Sequence, residues 1–103
     1  MLVIGYLVFK PSGDMTGAEA RRLVEAGASL VDVRSPEEFA AGHISGAVNI
    51  PVDEVEGRMG EIGPRDRPVV LYCRSGNRSA HAARILERSG YANVHDLGAM
   101  SSW

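Results

Sequence analysis

A cysteine that opens a short polar segment is the part of the sequence best suited to chemistry. Cys73 is the only cysteine among 103 residues, and it begins the run Cys73-Arg74-Ser75-Gly76-Asn77-Arg78-Ser79. A thiolate is the nucleophilic form of cysteine, and nearby cations or helix N-terminal amides favour it over the thiol. Arg74 and Arg78 supply cations, while Gly76 permits a turn that other residues avoid. The segment predicts a cysteine nucleophile in an anion-binding loop.

The composition narrows the classes of protein to which this loop could belong. One cysteine excludes an intrachain disulfide and any zinc or iron–sulfur site built from several cysteines. The 11 basic and 13 acidic residues give a net charge of −2, which argues against nucleic-acid binding through a broad basic face. A length of 103 residues is typical of one globular domain.

Alternating helix and strand patterns surround the loop. Two capping boxes predict helices that begin at Thr16 and Ser35 and end near Gly27 and Gly42. A helical pattern also occupies residues 79–89, and residues 53–59 are compatible with a further short helix. Apolar, β-branched runs predict strands at 29–33, 47–50, 69–72 and 94–95. This order predicts a parallel sheet covered on both faces, with ligands bound beyond the carboxyl ends of its strands.

Asp32 and Arg34 end a strand on the same edge of the sheet as Cys73. One interpretation is that they brace the loop around Cys73. The other is that they form a salt bridge or cap that fixes their own strand-to-helix turn.

The first nine residues, MLVIGYLVF, are almost wholly apolar. They are about half as long as the ~20 residues that span a bilayer. They are either a strand or docked arm, or the remnant of a membrane anchor, and residues 10–14 read as a linker. We therefore divide the chain into an arm and linker at 1–14 and a domain at 15–103. Membrane contact is expected only through residues 1–9.

Three motifs in order resemble the rhodanese family from Met15 to the end of the chain. The first combines Asp32-Val33-Arg34-Ser35-Pro36-Glu37-Glu38-Phe39 with Gly42-His43-Ile44 and Gly46-Ala47-Val48-Asn49-Ile50-Pro51. The second is the loop at 73–79, which is similar to the active-site loop of that family. The third comprises Gly90-Tyr91, Leu97-Gly98 and Trp103, with Ala99 where the family often has a second glycine.

The resemblance implies a fold and a reaction. The fold would be an α/β, three-layer sandwich around a mostly parallel, five-stranded sheet. Cys73 would be the catalytic nucleophile, taking a sulfane sulfur from thiosulfate or another donor and passing it to a cellular thiol or protein. Arg74, Ser75, Gly76, Asn77, Arg78 and Ser79 would bind the substrate and the persulfide. No metal or organic cofactor is implied.

Two alternative functions stay open. Related phosphatases and arsenate reductases use a longer loop, C-x5-R, in which the arginine would fall at position 79, but this chain has Ser79 there. A non-enzymatic sulfur carrier or protein-binding module of the same fold is the other alternative. A lone thiol used in its reduced form favours the cytoplasm, with the periplasm or membrane anchoring through the N-terminus as alternatives.

Overall fold

The computed structural model describes residues 13–103, which form three α-helices and four β-strands. The helices are α1 (Gly17–Glu25), α2 (Pro36–Ala41) and α3 (Asn77–Arg88). The strands are β1 (Ser29–Asp32), β2 (Val48–Asn49), β3 (Val69–Cys73) and β4 (Val94–Ala99). Three short 3-10 turns occupy Val52–Glu54, Met59–Glu61 and Met100–Ser102. The predicted alternation of helices and strands is confirmed.

The sheet has four strands within residues 13–103, in the order β2-β1-β3-β4. All three strand pairings are parallel. The expected five-stranded, mostly parallel sheet is therefore corrected, for the described residues, to four strands that are all parallel. The expectations for residues 1–9, a strand, a docked arm or an anchor remnant, lie outside the described part of the chain.

The core has two halves, one on each face of the sheet. Successive β3 side chains point to opposite faces because the side-chain period of a strand is two. Val69, Leu71 and Cys73 join the half beneath α3, while Val70 and Tyr72 join the half beneath α1. Cys73 therefore sits on the α3 face of the fully buried central strand.

Local capping chemistry sets the starts of two helices. The Thr16 hydroxyl accepts from the Glu19 amide, and the Glu19 carboxylate accepts from the Thr16 amide. Ser35 and Glu38 repeat this reciprocal arrangement at α2. Both predicted capping boxes are confirmed, because each satisfies amides that the first helical turn leaves unpaired.

Two predicted elements differ in the structure. The helix considered over 53–59 is wrong, since 3-10 turns lie on either side of Gly57 there, and glycine disfavours a continuous helix. The last strand is longer than the predicted 94–95 because its pairing to β3 continues to Ala99, after a register shift between Leu71 and Tyr72 that marks a bulge. This bulge lets β4 continue through Gly98, whose φ is +86°.

Candidate functional site

The site lies where β3 ends and α3 begins. Cys73 is the last residue of β3, and Asn77 is the first of α3, so only Arg74, Ser75 and Gly76 connect them. Gly76 is the N-cap residue with φ +107° and ψ −16°, a left-handed conformation that glycine adopts without Cβ strain. This sharp turn brings the α3 N-terminus, the positive end of its dipole, back over the sulfur.

Hydrogen bonds converge on the Cys73 sulfur. The Gly76 amide donates to Sγ at 2.9 Å, and the Ser79 hydroxyl oxygen lies 3.5 Å from Sγ. Cys73 and Ser79 have no solvent-exposed surface. Burial acts to raise the pKa of the Cys73 thiol, but hydrogen bonds from Ser79, Gly76 and Ser75 outweigh it, so the pKa is lowered. The predicted loop geometry thus produces a thiol disposed to ionise.

Arg78 forms an ion pair with Glu38 of α2. Nη1 donates to Oε1 at 2.6 Å and Nη2 to Oε2 at 3.0 Å, a bidentate geometry that suits a guanidinium and a carboxylate. The arginine holds the pKa of Glu38 at about 2, with help from the Ser35 amide. Arg78 is therefore already engaged by the protein, although its charge still acts on Cys73.

The remaining loop side chains face solvent. Arg74, Ser75 and Asn77 are exposed. Within residues 13–103, no hydrogen bond, ion pair or ring contact involves the Arg74 guanidinium. Arg74 is thus the cation of the loop that a ligand can bind without displacing a carboxylate. A groove of about 310 Å³ opens beside Arg78, between the segment after β1 and the 3-10 turn at Val52–Glu54.

Asp32 and Arg34 form a buried ion pair in the turn after β1. Arg34 Nη2 donates to Asp32 Oδ2 at 2.7 Å and to the Gly42 carbonyl at 2.7 Å. The Asp32 carboxylate raises the pKa of Arg34 through this contact. Asn49 in β2 donates to the Asp32 and Arg34 carbonyls at 3.0 and 2.9 Å. These bonds fix the β1–α2 turn, and α2 carries Glu38 toward the loop.

Two residues at the site were not singled out from the sequence. Glu38 was recognised only as the partner of Ser35 in a capping box, and its second role depends on Arg78, which is 40 residues away. Asp96 lies buried in β4, and its Oδ1 accepts from the Gly98 amide at 2.8 Å. Its position beyond His95, near a strand end, was the only local signal for it.

Residues 13–103 contain no cluster of three or more histidine, cysteine, aspartate or glutamate side chains able to hold a metal ion. Within the same range, no helix is long and apolar enough to cross a membrane.

Known proteins share this sequence pattern and fold. The family model described as a rhodanese-like domain matches residues 16–103. A sulfurtransferase of Allochromatium vinosum is 47% identical over 75 residues, which are 72% of this chain and 69% of that protein. Thiosulfate sulfurtransferase PspE of Escherichia coli is 38% identical over 71 residues, 68% of each chain. In sequence, the chain is therefore thiosulfate-sulfurtransferase-like.

A solved structure agrees with these sequence matches. The human single-domain sulfurtransferase TSTD1 superimposes with a TM-score of 0.73 at 30% identity, over 90% of this chain and 91% of that one. The chain spans between 60% and 69% of the length of bacterial relatives that it matches at 38% to 47% identity.

Proposed function

This chain belongs to the rhodanese-like domain family, and from that premise we propose that it is a sulfurtransferase working through a persulfide on Cys73. The donor would be thiosulfate or a persulfide, and the acceptor a thiophilic molecule. The observation that carries the proposal is the Gly76 amide directed at Cys73 Sγ, 2.9 Å away, at the N-terminus of α3. Two relatives named as sulfurtransferases, at 38% and 47% identity, support it.

The proposed reaction has two displacements at sulfur. The Cys73 thiolate attacks the outer sulfur of thiosulfate, so a new S–S bond forms, the old S–S bond breaks and sulfite leaves with its electron pair. An acceptor such as cyanide then attacks the outer persulfide sulfur. Thiocyanate forms, and Cys73 leaves as a thiolate.

The loop suits a terminal sulfur that carries negative charge. The loop amides already lower the thiol pKa, and the same donors would stabilise a persulfide anion one bond further out. The loop has Ser79 where the C-x5-R pattern has its arginine, and its own Arg78 comes one residue earlier, so the cradle is smaller and suits a single sulfur atom better than a tetrahedral oxyanion. Sulfur transfer is therefore favoured over the phosphatase or arsenate reductase alternative.

Recognition of an anionic donor is assigned to Arg74. Its guanidinium is exposed on the loop, whereas that of Arg78 is bound to Glu38. The charge of Arg78 would favour the thiolate of Cys73, and its ion pair with Glu38 would hold the loop in position. Arg74 would contact the sulfonate end of thiosulfate. The groove beside Arg78 would give space for an acceptor molecule.

The chemistry of the thiol supports a proposal for the acceptor and for the compartment. A low-molecular-weight thiol or a protein thiol would complete the cycle in a cell. We propose the cytoplasm, because Cys73 must be reduced to attack the donor. The periplasm, or anchoring through residues 1–9, is the alternative.

The proposal is tested by steady-state formation of thiocyanate from thiosulfate and cyanide. We expect double-displacement kinetics. Double-reciprocal plots of the rate against the concentration of one substrate, at several fixed concentrations of the other, should give parallel lines. Cys73→Ser should be inactive, and Ser101→Ala, on an exposed residue of the C-terminal turn, should match the wild type. Turnover that survives in Cys73→Ser would overturn the proposal. Sulfur loading without turnover would instead favour the carrier alternative.

A further inference from the structure

The solvent-facing side of α3 carries cations that the proposed reaction does not use. At about 100° per residue, four exposed residues project from one narrow side of this helix: Asn77, His81, Arg84 and Arg88. The buried residues of α3 lie on the opposite side and are Ser79, Ala82, Ala83 and Leu86. We call the exposed side formed by His81, Arg84 and Arg88 the basic face of α3.

The charge of this region contrasts with that of the whole chain. Residues 74–88 hold four arginines and one glutamate, a net charge of +3, whereas the chain as a whole carries −2. Among the described residues 13–103, no ion pair or hydrogen bond engages the guanidinium groups of Arg84 and Arg88. Arg78 differs from them because Glu38 binds it. The arginines of the basic face can therefore attract carboxylates of another molecule without first losing one of their own.

The basic face leads directly away from the active-site loop. Asn77 is exposed and is the first residue of α3, so this side of the helix begins where the loop ends. A rise of about 1.5 Å per residue places Arg84 and Arg88 roughly 10 and 16 Å further along the helix. A small thiol spans only a fraction of that distance, whereas a protein surface can contact both arginines and the loop together.

We propose that the basic face docks an acidic protein whose own thiol takes the outer sulfur from the persulfide on Cys73. The inference rests on the proposed function of Cys73 as the nucleophile. The acceptor thiolate attacks the outer sulfur and forms a new S–S bond with it. The S–S bond to Cys73 breaks, and Cys73 leaves as a thiolate with the electron pair. The acceptor then carries the persulfide, so no oxidant or reductant is consumed.

Charge complementarity and the chemistry of the acceptor select this occupant. Carboxylates on the partner would meet Arg84 and Arg88, and charges of this kind at the rim of an interface speed encounter and orient the partner. A phospholipid surface also offers negative charge, but it has no thiol to receive the sulfur. The occupant that satisfies both the charge and the reaction is an acidic protein with an accessible cysteine.

The test uses two peptide acceptors that differ only in charge. Each has one cysteine followed by about eight residues, a length that reaches Arg88 at ~3.3 Å per residue. One peptide has glutamates where the other has glutamines. Protein loaded with thiosulfate is mixed with each peptide, and loss of the outer sulfur is followed by intact mass. At low ionic strength we expect transfer to the glutamate peptide to be at least ~10-fold faster, with the ratio falling toward one at about 0.5 M salt.

Charge-reversal variants locate the source of this preference. Arg84→Glu combined with Arg88→Glu should abolish the preference for the glutamate peptide. Arg22→Glu combined with Arg67→Glu makes the same change in net charge at exposed positions outside α3 and should retain it. Because the result is a ratio of two peptides on one protein, a general loss of activity does not imitate it. If the first variant fails to fold, Arg84→Gln combined with Arg88→Gln should lower the ratio in the same direction.

Equal rates for the two peptides on the wild type, or a preference that survives reversal of Arg84 and Arg88, would overturn the inference. Binding of phosphatidylserine vesicles through these arginines, without a preference between the peptides, would overturn it as well and identify a membrane surface. Docking is also measured without sulfur transfer, by fluorescence anisotropy of the glutamate peptide with serine in place of its cysteine. Failure of thiosulfate to load Cys73 would contradict the proposed function, whereas loss of the anisotropy signal would contradict docking.

Discussion

The Glu38 carboxylate accepts hydrogen bonds from both Nη atoms of Arg78, at 2.6 and 3.0 Å. This contact connects the first turn of α2 to the loop that carries Cys73. The same carboxylate accepts from the Ser35 amide at 2.9 Å and completes the α2 capping box. One side chain therefore starts a helix and fixes the position of the active-site loop. Because Arg78 is held in this way, the cation left for an anionic ligand is Arg74.

Replacing Glu38 by glutamine separates these two roles. The amide oxygen of Glu38→Gln can still accept from Ser35, but the ion pair to Arg78 is lost. Both side chains are partly exposed, so solvent screening limits the cost to about 1 kcal/mol at neutral pH. The urea unfolding midpoint measures it.

The stability difference between wild type and Glu38→Gln should depend on pH. Arg78, together with the Ser35 amide, lowers the pKa of Glu38 from 4.5 to about 2 in the folded protein, so the ion pair stabilises the wild type fully at pH values above the pKa of Glu38 in the unfolded chain. That stabilisation is lost as the pH falls from 4.5 toward about 2. An undiminished difference at about pH 3 would show that the ion pair is not its source.

Removing the exposed cation should weaken binding of the donor. We expect Arg74→Ala to raise KM for thiosulfate by about 10-fold with little change in kcat, since a charge-assisted contact is worth about 1.5–3 kcal/mol and this one is partly solvated. Arg84→Ala removes the same charge from an exposed position on α3 and serves as the control. Equal effects of the two substitutions on KM would show that donor binding depends only on the net charge of the protein and not on a contact with Arg74.

The turn at Gly76 should not tolerate a side chain. With φ at +107°, Gly76→Ala would place a Cβ in a left-handed conformation that costs roughly 1–2 kcal/mol. Relaxation of the turn would move the amide away from Cys73 Sγ and raise the thiol pKa. Alkylation of Cys73 should therefore slow at neutral pH and recover at high pH. An unchanged pH profile would mean that this amide does not stabilise the thiolate.

The buried ion pair of Asp32 and Arg34 should contribute mainly to the stability of the fold. Asp32→Asn leaves the Arg34 guanidinium buried without its carboxylate, which typically costs about 3–5 kcal/mol. If the pair only fixes its own turn, Cys73 in the folded fraction should keep its alkylation rate. A slower rate in fully folded protein would instead support the bracing role considered from the sequence.

The sequence predicted what short-range patterns control. Thr16 and Ser35 predict the starts of their helices because a capping box lies within four consecutive residues. The loop at 73–79 was recognised because a cysteine, glycine and two arginines follow an apolar strand. Gly57 within residues 53–59 weakened the helical pattern, and the structure forms 3-10 turns there instead.

Long-range pairings could not be read from local patterns. Glu38 in α2 and Arg78 in α3 are 40 residues apart in sequence, and only the tertiary fold brings them together. Asp96 lies on the same face of the sheet as Leu71, its partner in β3, and this pairing between distant segments is not written in the local pattern. Both residues acquire their roles from tertiary structure.

The central claim is a persulfide on Cys73, and the intact mass of the protein tests it most directly. The reduced wild type is weighed before and after excess thiosulfate, with Cys73→Ser treated in parallel. We predict that the wild type gains the mass of one sulfur atom, loses it on addition of cyanide, and that the variant gains nothing. Absence of the gain in the wild type, or the same gain in Cys73→Ser, would contradict sulfur transfer from thiosulfate through Cys73.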